Sequence, residues 1–179
     1  MICSTGGDQV LMRLKSVDMD EFNRPTCLPK TRMDAIKSIT KWVADESIDG
    51  KQVLWLYGMA GSGKSTLSTT VVEIMRGLQR LGAFFFFDRD IPERSAATVV
   101  RTLAYQLASF DAQIGAEVSR VVESNPNIAG MSLDFQFANL LSAKALSSVR
   151  WSGGPIVLVI DALDECGSEK DRRILLHAL

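Results

Sequence analysis

Eight consecutive residues, Gly58-Met59-Ala60-Gly61-Ser62-Gly63-Lys64-Ser65, constrain this chain more than any other stretch. They fit G-x-x-x-x-G-K-[ST], a loop whose backbone N–H groups turn inward around phosphate oxygens. Glycine recurs because a Cβ at several of these positions would block the turn. The motif needs a strand before it and a helix after it, since the helix N-terminus adds unpaired N–H donors and a favourable dipole. Both flanks are legible. Val53-Leu54-Trp55-Leu56-Tyr57 is an apolar run of strand length, and Thr66 to Leu78 places Leu67, Val71, Ile74 and Leu78 on one helical face. Gly58, Ala60, Gly61, Ser62, Gly63 and Thr66 then line the phosphate cradle. Lys64 reaches the β and γ phosphates, and the Ser65 hydroxyl ligates Mg²⁺. The bland alternative is a glycine-rich β-to-α turn with a chance lysine.

A second constellation follows the aliphatic run Ile156-Val157-Leu158-Val159-Ile160, which suits a central strand of a parallel sheet. Asp161 comes directly after it. Ligands in open α/β sheets lie at the carboxyl ends of strands, so this aspartate reads as an acid that holds Mg²⁺ beside Ser65 through a water. Ala162 is small and leaves room near the metal. Asp164 and Glu165 follow, and either can polarise a water for attack on the terminal phosphate. Their alternative role is to start the next helix, where acids favour the positive end of the dipole.

The remaining chain reads as strands and helices around these motifs. Gly82 and Asp88 bracket Phe84-Phe85-Phe86-Phe87, a non-alternating run expected as a strand buried on both faces. Strands are expected at about 53–57, 83–87 and 156–160. Thr31 with Asp34 resembles a capping box opening a helix through Ile36, Ile39 and Val43 to about residue 45 or 46, and Asp49-Gly50 reads as a turn. Ala96 to Phe110, a helix through Ile114, Val118 and Val122, and one capped by Ser132 form a long helical crossover. Glu169 onward begins another helix. Residues 1–24 read as a weakly structured arm, with Gly6-Gly7 breaking any early element and a short helix over Val10–Met19. Residues 25–179 form the domain proper.

Composition narrows the class. Charged residues make up 23%, with a net charge of −1, so no general nucleic-acid-binding surface is expected. The 3 cysteines, Cys3, Cys27 and Cys166, lack metal-like spacing and an even count for a closed disulfide framework; a reducing, cytoplasmic setting is the simpler expectation. No signal peptide and no membrane span are expected. Trp42, Trp55 and Trp151 are expected as packing anchors, His177 as a surface or packing residue, Cys166 as a packing residue and Arg89 as a partner of Asp88 or Asp90, with approach to a phosphate as its alternative.

The phosphate loop with Thr66-Leu67, the Phe84-Phe85-Phe86 strand with Arg89-Asp90, and Asp161-Ala162-Leu163-Asp164-Glu165-Cys166 together resemble the NACHT family. They are most similar to fungal NACHT proteins and the related nephrocystin-3-like N-terminal domain. Cys27-Leu28-Pro29-Lys30-Thr31-Arg32 and the helix through Trp42 resemble the lead-in of that group. The resemblance implies a three-layer α/β P-loop NTPase fold with a mainly parallel sheet, incomplete at its C-terminus. It implies ATP and Mg²⁺ as cofactors, Lys64 on phosphate, Ser65 and Asp161 on metal, and Asp164 and Glu165 as the water-positioning pair. It also implies a nucleotide-dependent switch that homo-oligomerises in a longer protein. Family members continue into a further strand with a sensor arginine, a helical and winged-helix region and often repeats, so weak or absent independent hydrolysis is expected. A strand edge or face at 156–160 is expected to lie uncovered.

Two other enzyme classes use such a loop. A small-molecule kinase would need a basic lid, which Arg89, Arg94 and Arg101 could mimic, although Ala96–Phe110 reads as a packed helix. A GTPase would carry N-K-x-D and a glycine where this chain has Asp164. A scaffold that no longer binds nucleotide is the non-enzymatic reading, against which stand the intact Lys64, Ser65 and Asp161.

Overall fold

The structure is a computed structural model that describes residues 6–19, 24–45, 53–142 and 144–178. It is a mixed α/β fold. Two strands, β1 (Leu81–Phe86) and β2 (Val157–Asp161), form its sheet. Val157 N–H donates to the Arg80 carbonyl where both strands start, and Phe87 N–H to the Asp161 carbonyl where both end, so the strands are parallel. Two of the three expected strands form this sheet; among the described residues the third does not. The chain divides into two compact units, the larger made of Met1–Met19, Gly82–Ser152 and Ile160–Leu179, the smaller of Asp20–Leu81 and Gly153–Val159.

The smaller unit is built on α2 (Met33–Ala44) and α3 (Lys64–Gly77). Leu67, Val71 and Met75, one face of α3, pack with Ala35, Ile36, Ile39 and Val43 of α2 and with Cys27, Leu81 and Val157. Leu78, expected on that face, is 55% exposed because the helix ends before it. The expected cap at Thr31 does not form either. Thr31 Oγ1 donates to the Leu28 carbonyl at 2.6 Å, a local turn bond that competes with capping, and Arg32 becomes the N-cap residue. The Asp49-Gly50 turn and Glu46 lie outside the described residues.

The expected strand at 53–57 is absent. These residues form no regular secondary structure, and Val53, Trp55 and Tyr57 are 64%, 56% and 83% exposed. A strand exists only through a partner's N–H and C=O groups, and apolar character does not supply one. Trp55 is therefore no packing anchor. On β2 of the same unit Leu158 is 41% exposed, so the strand is not enclosed, as expected for 156–160.

The larger unit surrounds the phenylalanine strand. Phe84, Phe85, Phe86 and Phe87 are all buried, with Phe84 near Phe86 and Phe85 near Phe87 (centroids 5.8 and 4.9 Å apart). Alternate side chains leave opposite faces of a strand, so both faces are covered, as the run predicts. Helix α4 (Ala96–Phe110) is opened by a reciprocal Ser95–Thr98 capping box and buries Val99, Val100, Leu103 and Leu107. Its Gln106 accepts from Phe84 N–H (2.8 Å) and donates to Phe84 C=O (3.0 Å), the pair of bonds a neighbouring strand would supply. Helix α5 (Ala112–Ser124), capped by Asp111, buries Ile114, Val118 and Val122; α6 (Leu133–Leu140) is capped by Ser132; α7 is Glu169–Ala178. Trp151 lies 5.3 Å from Phe110, centroid to centroid.

The N-terminal segment differs from the expected arm. Gly6 and Gly7 open α1 (Gly6–Leu11) instead of breaking it, and a 3-10 turn, Met12–Leu14, follows. Leu14 is fully buried and Val17 N–H donates to Thr102 Oγ1. Burying Leu11 and Leu14, about 1.5–3 kcal/mol each, outweighs the up to about 1 kcal/mol that each glycine costs in a helix. Among the described residues no helix is long and apolar enough to cross a membrane.

Candidate functional site

The sequence-predicted site residues fall into two groups. Gly58, Ala60, Gly61, Ser62, Gly63, Lys64, Ser65 and Thr66 belong to the smaller unit; Asp161, Asp164 and Glu165 belong to the larger.

In the smaller unit Gly61 (φ +72°) and Gly63 (φ +81°) hold the left-handed conformation that side chains disfavour, and Ser62 N–H donates to the Met59 carbonyl. Helix α3 starts at Lys64, so Ser65 and Thr66 lie in its first turn, where backbone N–H groups lack intrahelical partners. Lys64 Nζ donates to the Gly58 and Met59 carbonyls at 2.9 and 3.0 Å. A Cβ on Gly58 would stand 3.3 Å from Ser62 Oγ. Glycine positive-φ turns, a helix N-terminus and a lysine folded back over the loop are a donor set that fits a polyphosphate.

Arg32 reaches this loop too, which the sequence did not reveal. Its guanidinium donates to the Ser62 carbonyl and passes Gly63, where a Cβ would lie 3.3 Å from the same nitrogen. The only sequence signal was the Cys27–Arg32 lead-in as a block.

In the larger unit Asp161 ends β2 and is 6% exposed. Ala162 follows with φ +55°, a left-handed conformation that costs a non-glycine residue about 1 kcal/mol. That bend leads into the 3-10 turn Leu163–Glu165, where Asp164 is exposed and Glu165 half-buried. Arg89 does not pair with Asp88 or Asp90 as expected. Its backbone N–H donates to Glu165 Oε2 (3.4 Å) and its guanidinium to the Asp164 carbonyl (3.3 Å), while Asp88 accepts from Asp90 N–H. Arg172 donates to the Gly167 carbonyl and, at 3.4 Å, to the Asp164 carbonyl. Two cations thus brace the acidic turn. Asp171 accepts from the N–H and hydroxyl of Ser168 while Ser168 Oγ accepts from Asp171 N–H, which caps the start of α7. The Ser168 bonds hold the Asp171 carboxyl below its ordinary range, so this cap is present at neutral pH and lost as acid protonates it.

The family described as Nephrocystin 3, N-terminal, matches residues 35–179. The chain belongs to this family. Neither a curated protein nor a solved structure matches it. The nephrocystin-3 N-terminal match spans the phosphate loop, the phenylalanine strand and the acidic turn, and begins just after Arg32.

In this nephrocystin-3-type chain Ser65 of the smaller unit and Asp161 of the larger each carry a hard oxygen donor of the kind Mg²⁺ takes. Among the described residues no cluster of three or more His, Cys, Asp or Glu side chains is arranged for a metal. Cys166 is fully buried, and that burial, with the Asp171 charge as a smaller cause, raises its thiol to about 11, which keeps it a neutral packing residue. His177 is exposed. A cavity of about 590 Å³ between α5, α6 and the following turn is lined by Glu117, Arg120, Asn139 and Lys144 among others and contains no motif residue.

Proposed function

We propose that this chain is the nucleotide-binding switch module of a NACHT-type signalling protein, close in its motifs to fungal NACHT proteins. It binds ATP with Mg²⁺ and hydrolyses it weakly or not at all by itself. The observation that carries this reading is the phosphate loop: two left-handed glycines lead into the first turn of α3, and Lys64 Nζ folds back onto the Gly58 and Met59 carbonyls. Lys64 binds phosphate, Ser65 and Asp161 hold Mg²⁺, and Glu165, supported by Asp164, orients water at the terminal phosphate. The domain is of the three-layer P-loop NTPase type with a mainly parallel sheet. The protein is cytoplasmic and homo-oligomerises.

The placement of two of the three candidate lid arginines speaks against the kinase reading. Arg94 lies over the Phe86 ring, 3.9 Å from its centroid, and Arg101 donates to the Ala129 carbonyl. The GTPase reading lacks an N-K-x-D stretch.

A paired measurement of Mg-ATP affinity and phosphate release on monodisperse protein tests the proposal. Measurable affinity with slow release is expected. Brisk turnover independent of Glu165 would overturn it. Hydrolysis also needs positive charge where the phosphoryl oxygens develop charge, and a neighbouring subunit often supplies it. Glu165→Gln keeps an acceptor for Arg89 N–H, so it lowers the residual rate several-fold while leaving affinity within about two-fold. Asp161→Asn weakens the Mg²⁺-dependent part of binding; an equal fall in EDTA and in Mg²⁺ would remove Asp161 from the metal site.

A further inference from the structure

We propose that Arg32 is a second phosphate-binding cation of the loop, supplied from outside the loop motif and acting beside Lys64. The inference rests on the nucleotide-binding reading above and extends it to a residue that no motif assigns. The guanidinium is already at the loop, on the Ser62 carbonyl and beside Gly63. A guanidinium carries five N–H donors in a planar fork suited to phosphate oxygens, and the Ser62 carbonyl takes one of them.

The base of this side chain is anchored. The Leu28 carbonyl accepts from both Thr31 N–H and Thr31 Oγ1, and Cys27 N–H donates to Thr70 Oγ1 on α3 at 2.8 Å. Local preference does not account for arginine here. Arg32 is the N-cap residue of α2, with φ +56° and no side-chain cap bond, where Ser, Thr, Asp, Asn or Gly would be favoured. A left-handed arginine that caps nothing is strained, and such strain gathers at functional sites.

Charge points the same way. Helix α3 has no acidic residue in its first turn, and its N-terminus carries positive partial charge. Lys64 and Arg32 add two cations at that end. This accumulation is unfavourable by itself and becomes favourable with a polyanion, such as the phosphate chain of a nucleoside polyphosphate. Arg32 in this role reads phosphates and not the base.

The test compares the full chain with Arg32→Ala, Arg32→Gln and Arg32→Lys by titration calorimetry against Mg-ATP and inorganic tripolyphosphate, alongside nucleotide-free melting temperatures. Gln keeps an N–H donor for the Ser62 carbonyl and removes the charge. The expected result is a loss of affinity of about ten-fold or more in Ala and Gln, with partial recovery in Lys. The loss should be similar for ATP and tripolyphosphate, and the Gln melting temperature should stay close to wild type. Unchanged affinity in Arg32→Gln overturns the inference and leaves the nucleotide-binding reading standing. So does a loss that merely tracks a lowered melting temperature, since Arg32 would then only brace the loop. Failure of the wild-type chain to bind either ligand overturns the nucleotide-binding reading itself.

Discussion

Lys64→Ala lowers affinity for Mg-ATP by about 100-fold or more. Hydrogen bonds to charged groups contribute about 1.5–3 kcal/mol each, and a P-loop lysine makes more than one to phosphate. The substitution has a second effect. Lys64 Nζ bonds to the Gly58 and Met59 carbonyls and holds the first half of the loop to the helix start, so alanine removes both a cation and a brace. The core of the smaller unit, centred on Leu67, Val71 and Met75, does not use the ammonium group, so the melting temperature changes little. Calorimetric titration of both proteins at one ionic strength is the check. Equal affinities would end the role given to Lys64.

Phe85→Ala is the most damaging core substitution expected, destabilising the protein by about 3–5 kcal/mol. Phe85 has no exposed surface and makes an edge contact with Phe87 at 4.9 Å. Deleting the ring loses its transfer free energy and leaves a cavity beside Phe87 that a fully buried core cannot fill without shifting. Against the usual 5–15 kcal/mol total, that is a large fraction of stability. Urea denaturation measures it as a lower midpoint at unchanged slope. An unchanged midpoint would mean that the strand is not part of the core.

These two residues were the easiest to read in advance. Lys64 belongs to a short motif whose chemistry is local, so nearby backbone and one side chain suffice to define it. Phe85 lies in a run too apolar to tolerate water on either face. The helices were legible for the same reason, because a 3.6-residue period and a capping residue are local signals. Ser132 caps its helix as expected, and Ser95 and Asp111 open α4 and α5 in the same way.

What needed the tertiary structure was each choice of partner. The apolar segment 53–57 resembles β2 in composition, yet only β2 pairs with β1. Arg89 had two acids beside it in sequence and instead meets the turn at Asp164 and Glu165, about 75 residues later. Arg32 gave no sign of reaching the phosphate loop, because its contact with Ser62 depends on how the Leu28–Arg32 turn is pinned to α3. Ala162 was read for its small size, while its left-handed backbone emerged only from the bend between β2 and the acidic turn. The sequence by itself determined the phosphate loop, the buried strand and the helical periods, since these are set by residues within a few positions of one another. Strand pairing and the destinations of Arg32 and Arg89 were decided by the fold, because long-range hydrogen bonds go to whichever groups the packed core brings within about 3 Å.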